Sequence, residues 1–186
     1  MWKDVIGTGK LARKRAEKLL PSVNWKAINS DNKLFGFIGY KVGMKSAFIK
    51  DNTPNSLTKG KRIIIPVTII ECPSMKIFSV RFYKNGRVMT EVVSENLDKE
   101  LKRKVKFSKT KTKSLDDVKD YDDIRIVVYS QVKKTGIKKS PDIIELALGG
   151  NAEEKLKFIK ENLGKEISIK DVFKKNSLVD VRGLTK

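Results

Sequence analysis

The chain has 186 residues, with 41 Lys and Arg against 22 Asp and Glu, one cysteine and no histidine, for a formal charge of +19. Its length suits one large domain or one domain with an insertion, and its 39% hydrophobic content excludes wholesale disorder. The missing histidine removes the usual general base and the commonest metal ligand, lone Cys72 excludes an intrachain disulfide, and no apolar run approaches the roughly 20 residues of a membrane span.

Residues 1–33 read as a basic arm. Gly7 and Gly9 precede a short helix expected over Lys10–Leu20, which Pro21 ends because the residue before a proline is pushed away from helix. Trp25 follows in a polar stretch. From Leu34 the composition turns to strand formers. Leu34–Tyr40 is aromatic and β-branched with glycine punctuation, Met44–Ile49 continues the pattern, and residues 51–55 form a turn cluster. Ile63–Cys72 is a long apolar strand interrupted by Pro66. Lys76–Tyr83 alternates with period two, which predicts one buried and one wet face. Asn85-Gly86 signals a tight hairpin turn. Short antiparallel strands joined by turns suggest a barrel or a sandwich.

The character changes after residue 86. Asn96–Val105 reads as a short charged helix, and Lys106–Asp123 as a polar loop with a basic and an acidic half. Ile124–Tyr129 is a strand, Gln131–Ser140 a second basic loop, and Pro141–Leu148 an extended segment closing on Gly149-Gly150. Asn151 with Glu154 makes a capping-box pattern, and Leu156, Ile159 and Leu163 line one face of the helix that follows, which Gly164 ends. Leu178, Val179, Val181 and Leu184 predict a last strand that rejoins the first sheet.

Charge distribution matters more than its total. Residues 1–62 hold fourteen basic residues and only four acids. A concentrated positive field of this kind is the footprint of a nucleic-acid binder. Arg13-Lys14-Arg15 suits phosphate, because each guanidinium fork matches two phosphate oxygens. Lys41 and Lys45 flank Gly43, where backbone can approach a phosphate closely. Trp25 can stack on a base or fold back on the strands. Catalytic readings fare worse. Gly7-Thr8-Gly9-Lys10 lacks the spacing of a phosphate loop and has Leu11 where a magnesium-binding hydroxyl belongs. The acids Asp116, Asp117 and Asp120 lie together in one polar loop, whereas a two-metal nuclease needs carboxylates converging from separate elements. Cys72 sits in an apolar strand as core filler. No enzyme activity and no cofactor are expected.

The stretch Gly36-Phe37-Ile38-Gly39-Tyr40-Lys41-Val42-Gly43-Met44 resembles the large-subunit ribosomal protein L-three family in its archaeal and eukaryotic form. Four further segments resemble it in the same order: Arg13–Ala16 with Pro21 and Trp25, Ile65–Met75, Lys138–Glu145 through Gly150, and Asp171–Phe173 with Val179–Lys186. The resemblance implies a mainly β fold with an α+β insert, a partial six-stranded antiparallel barrel of the translation-protein type that a missing C-terminal half completes. The division is then a basic N-terminal arm (1–33), first barrel strands (34–86), an α+β insert (87–177) and a returning barrel strand (178–186). The resemblance further implies direct binding to large-subunit ribosomal RNA, a role in subunit assembly, neighbouring ribosomal proteins as partners, and a place on cytoplasmic ribosomes with no membrane. The expected RNA contacts are Lys10, Arg13, Lys14, Arg15, Trp25, Lys41, Lys45, Lys138 and Lys139. The second half of the family's barrel has no counterpart here. A separate chain carrying it, as from a split gene, is the favoured account, beside a fragmentary gene reading or a truncated expression product. The alternative function is an RNA-binding barrel module acting outside the ribosome.

Overall fold

A computed structural model describes residues 19–28, 33–106 and 114–183. The arm cations Lys10, Arg13, Lys14 and Arg15, and nearly all of the helix expected over Lys10–Leu20, lie outside the described residues.

Among the described residues, six antiparallel strands form two sheets, and there β1 (Tyr40–Lys50) pairs with β2 (Arg62–Glu71) alone. A four-stranded sheet follows in the order β4-β3-β5-β6, from β3 (Met75–Lys84), β4 (Arg87–Val93), β5 (Asp123–Ser130) and β6 (Ile143–Ala147). Three short helices complete it: α1 (Val132–Thr135), α2 (Ala152–Asn162) and α3 (Ile169–Val172). The fold is mainly β.

The core sits on one face of the larger sheet. β3 alternates as its sequence predicts, but a bulge between Ile77 and Ser79 resets the alternation, so that Met75, Ile77, Val80 and Phe82 all point inward. Ile124, Ile126 and Val128 of β5 and Leu146 of β6 join them. α2 lays fully buried Ile159 on this face, and Leu156 and Phe158 pack at its margin. The capping box forms as expected, with the Asn151 N–H donating to Glu154 Oε2 at 3.0 Å. Gly164, at φ 77°, follows the helix end, and Leu163 is more exposed than its neighbours on the apolar face. On the opposite face of the sheet Val127 and Tyr129 are also buried.

The Asn85-Gly86 turn has both residues at positive φ (52° and 75°), the geometry a two-residue hairpin needs to match the strand twist.

Four expectations change. The Leu34–Tyr40 strand is not one: the ladder begins only at Tyr40, while Leu34 bridges Leu148 and the Phe35 N–H bonds the Ala147 carbonyl at 3.2 Å. The segment therefore runs beside β6, burying Leu34 and Ile38 in the core. Second, β3 does not group with the preceding strands. It hydrogen-bonds β4 and β5, because its inward row packs with the apolar rows of β5 and β6. Third, Asn96–Val105 contains only a 3-10 helix at Lys99–Arg103, with Leu101 buried. Fourth, residues 178–183 form no strand with the described residues, and Leu178, Val179 and Val181 are exposed; Leu184, expected in the same strand, lies outside the described residues.

Gly39 shows what the glycine punctuation does. A Cβ there would stand 2.6 Å from Ile70 Cγ2 and 3.4 Å from Cys72 Sγ, so the bare backbone lets the end of β2 close on it. Gly39→Ala is expected to destabilise the chain by roughly 1–3 kcal/mol, the usual range for overpacking, read as a lowered urea midpoint at unchanged slope.

Candidate nucleic-acid interface

Among the described residues, the β1–β2 ribbon and its loop carry six exposed cations with no carboxylate partner. Lys41, Lys45, Lys50, Lys59, Lys61 and Arg62 are all exposed along it or its connecting loop. The loop is held by Asp51, which accepts the Thr53 N–H at 2.9 Å and the Thr58 hydroxyl at 2.5 Å, while its backbone pairs with Lys61 and Gly60. Hydrogen bonds from Ser56, then Thr58 and Thr53, keep the Asp51 carboxyl well below the ordinary carboxylate range. This acid is engaged within its own loop and leaves the flanking cations unneutralised.

Lys41 and Lys45 do not act as the neighbours their spacing suggests. A bulge between Lys41 and Gly43 sets Lys41 opposite Ile70 and Lys45 opposite Val67. Those partners differ in parity, so the two lysines project from opposite faces of the ribbon. Gly43 has open space around its Cα, with nothing within 4 Å of where a Cβ would stand.

The other predicted residues divide. Trp25 lies in a 3-10 helix (Trp25–Ala27) and folds back: its ring packs against the core beside Gly36, whose Cβ would stand 3.3 Å from Trp25 Cη2. Lys138 is not a free cation. Its ammonium pairs with buried Asp142 at 2.7 Å, an i,i+4 contact. Lys139 is exposed, and its carbonyl accepts from Arg103 Nη1 at 2.8 Å.

Sequence reasoning missed the hub to which Lys138 belongs. Asp142 also accepts from the Tyr40 hydroxyl at 2.7 Å and from Lys104 at 3.2 Å, and its own N–H donates to Ser130 Oγ at 3.1 Å. Tyr40 opens the ribbon, so this hub fastens the ribbon to the larger sheet. Burial raises the Asp142 carboxyl, but hydrogen bonds from Lys138, Tyr40 and Lys104 outweigh it and hold the group below its usual value. Burial, with the bond to Asp142, pushes the Tyr40 hydroxyl far up. Nothing at the level of sequence pattern marks contacts this far apart along the chain.

A second hub neutralises the polar face of the larger sheet. Glu145 accepts from Arg81 at 2.8 Å, Tyr83 at 2.7 Å and Arg125 at 3.1 Å, and Arg125 lies 4.4 Å from the centre of the Tyr83 ring. Such a face, with its acids engaged, offers little to an anion. No group of three or more potential metal ligands converges among the described residues.

The ribosomal protein L3 family matches residues 3–186. The large ribosomal subunit protein uL3 of Methanocaldococcus jannaschii is 39% identical over 186 residues, spanning 94% of this chain and 56% of that protein. Its counterpart in Methanobrevibacter smithii is 39% identical, over 94% of this chain and 55% of that protein, and that of Archaeoglobus fulgidus is 37% identical, over 94% and 56%. The chain spans about half the length of these relatives. With a match that runs almost end to end, and identities well above chance across it, the chain belongs to the ribosomal protein L3 family.

Proposed function

We propose that the chain is a structural constituent of the large subunit of cytoplasmic ribosomes, binding ribosomal RNA directly and supporting subunit assembly, with no catalytic role. The observation that carries this is the segregation of charge in a member of this family. The acids of the larger sheet are engaged in internal hubs, while six cations of the ribbon and its loop stay exposed and, among the described residues, unpaired. Phosphate contacts from these cations supply affinity, and the folded RNA's shape supplies selectivity. The arm residues Lys10, Arg13, Lys14 and Arg15 add to the same field. Lys41 and Lys45, on opposite faces, touch different RNA strands or an RNA strand and a neighbouring protein. Lys139 remains a candidate contact, whereas Lys138 serves the Asp142 hub; one edge of the Trp25 ring packs beside Gly36.

The ribbon also supports a partial barrel. Its apolar side chains stand on both faces, with Phe48 77% and Ile64 62% exposed, and a two-stranded ribbon by itself is marginal in water. Further strands cover these faces and complete the barrel in the assembled subunit.

Mass spectrometry of gradient-purified large subunits after a high-salt wash tests the reading. Retention of the chain, with peptides matching the second half of its relatives in equal amount, is expected. Loss to the soluble fraction would overturn it. Arg13→Ala with Arg15→Ala is expected to weaken binding to large-subunit ribosomal RNA and to reduce the slope of log affinity against log salt by about 2, roughly one per lost phosphate contact. A slope equal to the parent's removes the arm from the interface.

A further inference from the structure

Four cations of the larger sheet and α2, Lys76, Arg81, Arg125 and Lys155, each meet a carboxylate at 3.3 Å or less. Three exposed cations around the β3–β4 turn do not, among the described residues. Lys84 and Arg87 face each other as the last cross-strand pair before the turn. Like charges placed directly opposite destabilise a hairpin, so this pair works against the fold. Lys26 comes to the same tip from the 3-10 helix, its Nζ 3.5 Å from where a Cβ on Gly86 would stand. The tip itself is fixed, because the Asn85 N–H donates to Asp122 Oδ2 at 2.6 Å. Three positive charges are thus gathered around a turn that holds one carboxylate, Asp122, which leaves an excess of positive charge that a further anion would relieve.

Lys26 also lines an open cleft of about 490 Å³ with Trp25, Phe35, Gly149 and Gly150. The charged walls Lys155 and Asp123 neutralise each other at 2.6 Å, which leaves Lys26 as the net charge of the cleft. Two aromatic rings, exposed glycine backbone and one cation at the mouth suit an unstacked base with its phosphate.

We propose that this tip and cleft form a second RNA-binding site, in which Lys26, Lys84 and Arg87 hold backbone phosphates of a single-stranded segment while one base enters the cleft beside Trp25. The inference rests on the RNA-binding reading given above and adds to it a site built on residues other than the ribbon cations and Lys10, Arg13, Lys14 and Arg15.

The full chain carrying Trp2→Phe keeps Trp25 as its one tryptophan. Titration with a single-stranded oligoribonucleotide of mixed sequence is expected to quench Trp25 emission, whereas inorganic polyphosphate binds without quenching. In the triple variant Lys26→Ala, Lys84→Ala, Arg87→Ala the salt slope for the oligoribonucleotide falls by about 2, at roughly 0.7 per phosphate contact. A matched variant, Lys102→Ala, Lys119→Ala, Lys170→Ala, loses the same charge from exposed positions elsewhere and is expected to stay within about twofold of the parent at moderate salt. Equal losses in the two variants would overturn the site. Unchanged Trp25 emission would overturn the place given to the base. A parent chain with no salt-dependent binding to any RNA would overturn the RNA reading itself, and the site with it; a parent that binds beside an unaffected triple variant would overturn the site alone.

Discussion

Asp142→Ala is expected to cost roughly 3–5 kcal/mol of stability, the range seen when one partner of a buried ion pair is removed. The carboxylate side chain is only 7% exposed and takes hydrogen bonds from Tyr40, Lys104 and Lys138. Its loss leaves the half-buried Lys138 ammonium without its anion, and the Tyr40 hydroxyl with Ser130 alone. Much of the penalty therefore lies in the stranded charge. Adding Lys138→Met to Asp142→Ala should recover part of it, because the double variant no longer buries an unpaired cation. Denaturant unfolding of the four chains of this cycle decides the matter. Additive losses would mean that Lys138 and Asp142 do not depend on one another.

Carboxylates held in three separate clusters give the chain an acid limit. Asp142, Glu145 and Asp98 all titrate below their ordinary range in the folded protein. In each, burial pulls the pKa up, and hydrogen bonds from cations and tyrosines pull it further down. A carboxyl with a lowered folded pKa contributes stability that is fully present above its unfolded value, about 4. That contribution is lost as pH falls from about 4 through the folded values. Tyr40 and Tyr129 act at the other extreme. Their folded pKa values are raised, so their contribution is intact below the unfolded value of about 10 and fades as pH climbs past it.

Local pattern made much of this fold legible before any coordinates. The Asn85-Gly86 turn, the run of β5 and the Asn151–Glu154 cap each follow from a few adjacent residues, and each formed where expected, whereas the bulge after Ile77 shifts the inward row of β3. Grouping was less legible. Strands β2 and β3 look alike in composition, and only their partners assign them to different sheets. Leu34–Tyr40 has strand composition, yet its glycines serve close packing, against Trp25 at Gly36 and against Ile70 at Gly39. For the interface, the sequence located the charge but could not say which cations were free. Lys138 and Lys139 are adjacent and chemically alike, and one is held by Asp142 while the other is exposed. Parity hid the divergence of Lys41 and Lys45 in the same way, since a bulge between them is invisible in their spacing.

Phe48→Thr with Ile64→Thr is expected to reduce incorporation of the chain into large subunits at least tenfold while leaving the larger sheet as stable as before. The two residues form a direct cross-strand pair on one face of the ribbon. Threonine keeps the strand propensity of both positions and adds no charge, so RNA affinity through phosphate contacts is untouched. Within the ribbon the pair contributes only about 0.2–1 kcal/mol, because both side chains face water. Covered by further barrel strands, each would contribute about 1.5–3 kcal/mol of burial, and 1.4 kcal/mol is already a factor of ten in binding. The expected signature is therefore a variant with a parental denaturation midpoint, parental RNA affinity and poor retention in gradient-purified subunits. The free variant should also associate with itself less than the parent, since the ribbon's apolar face and unpaired edges are what invite another strand. Undiminished incorporation would mean that this face stays uncovered in the subunit, and that the ribbon binds through its lysines alone.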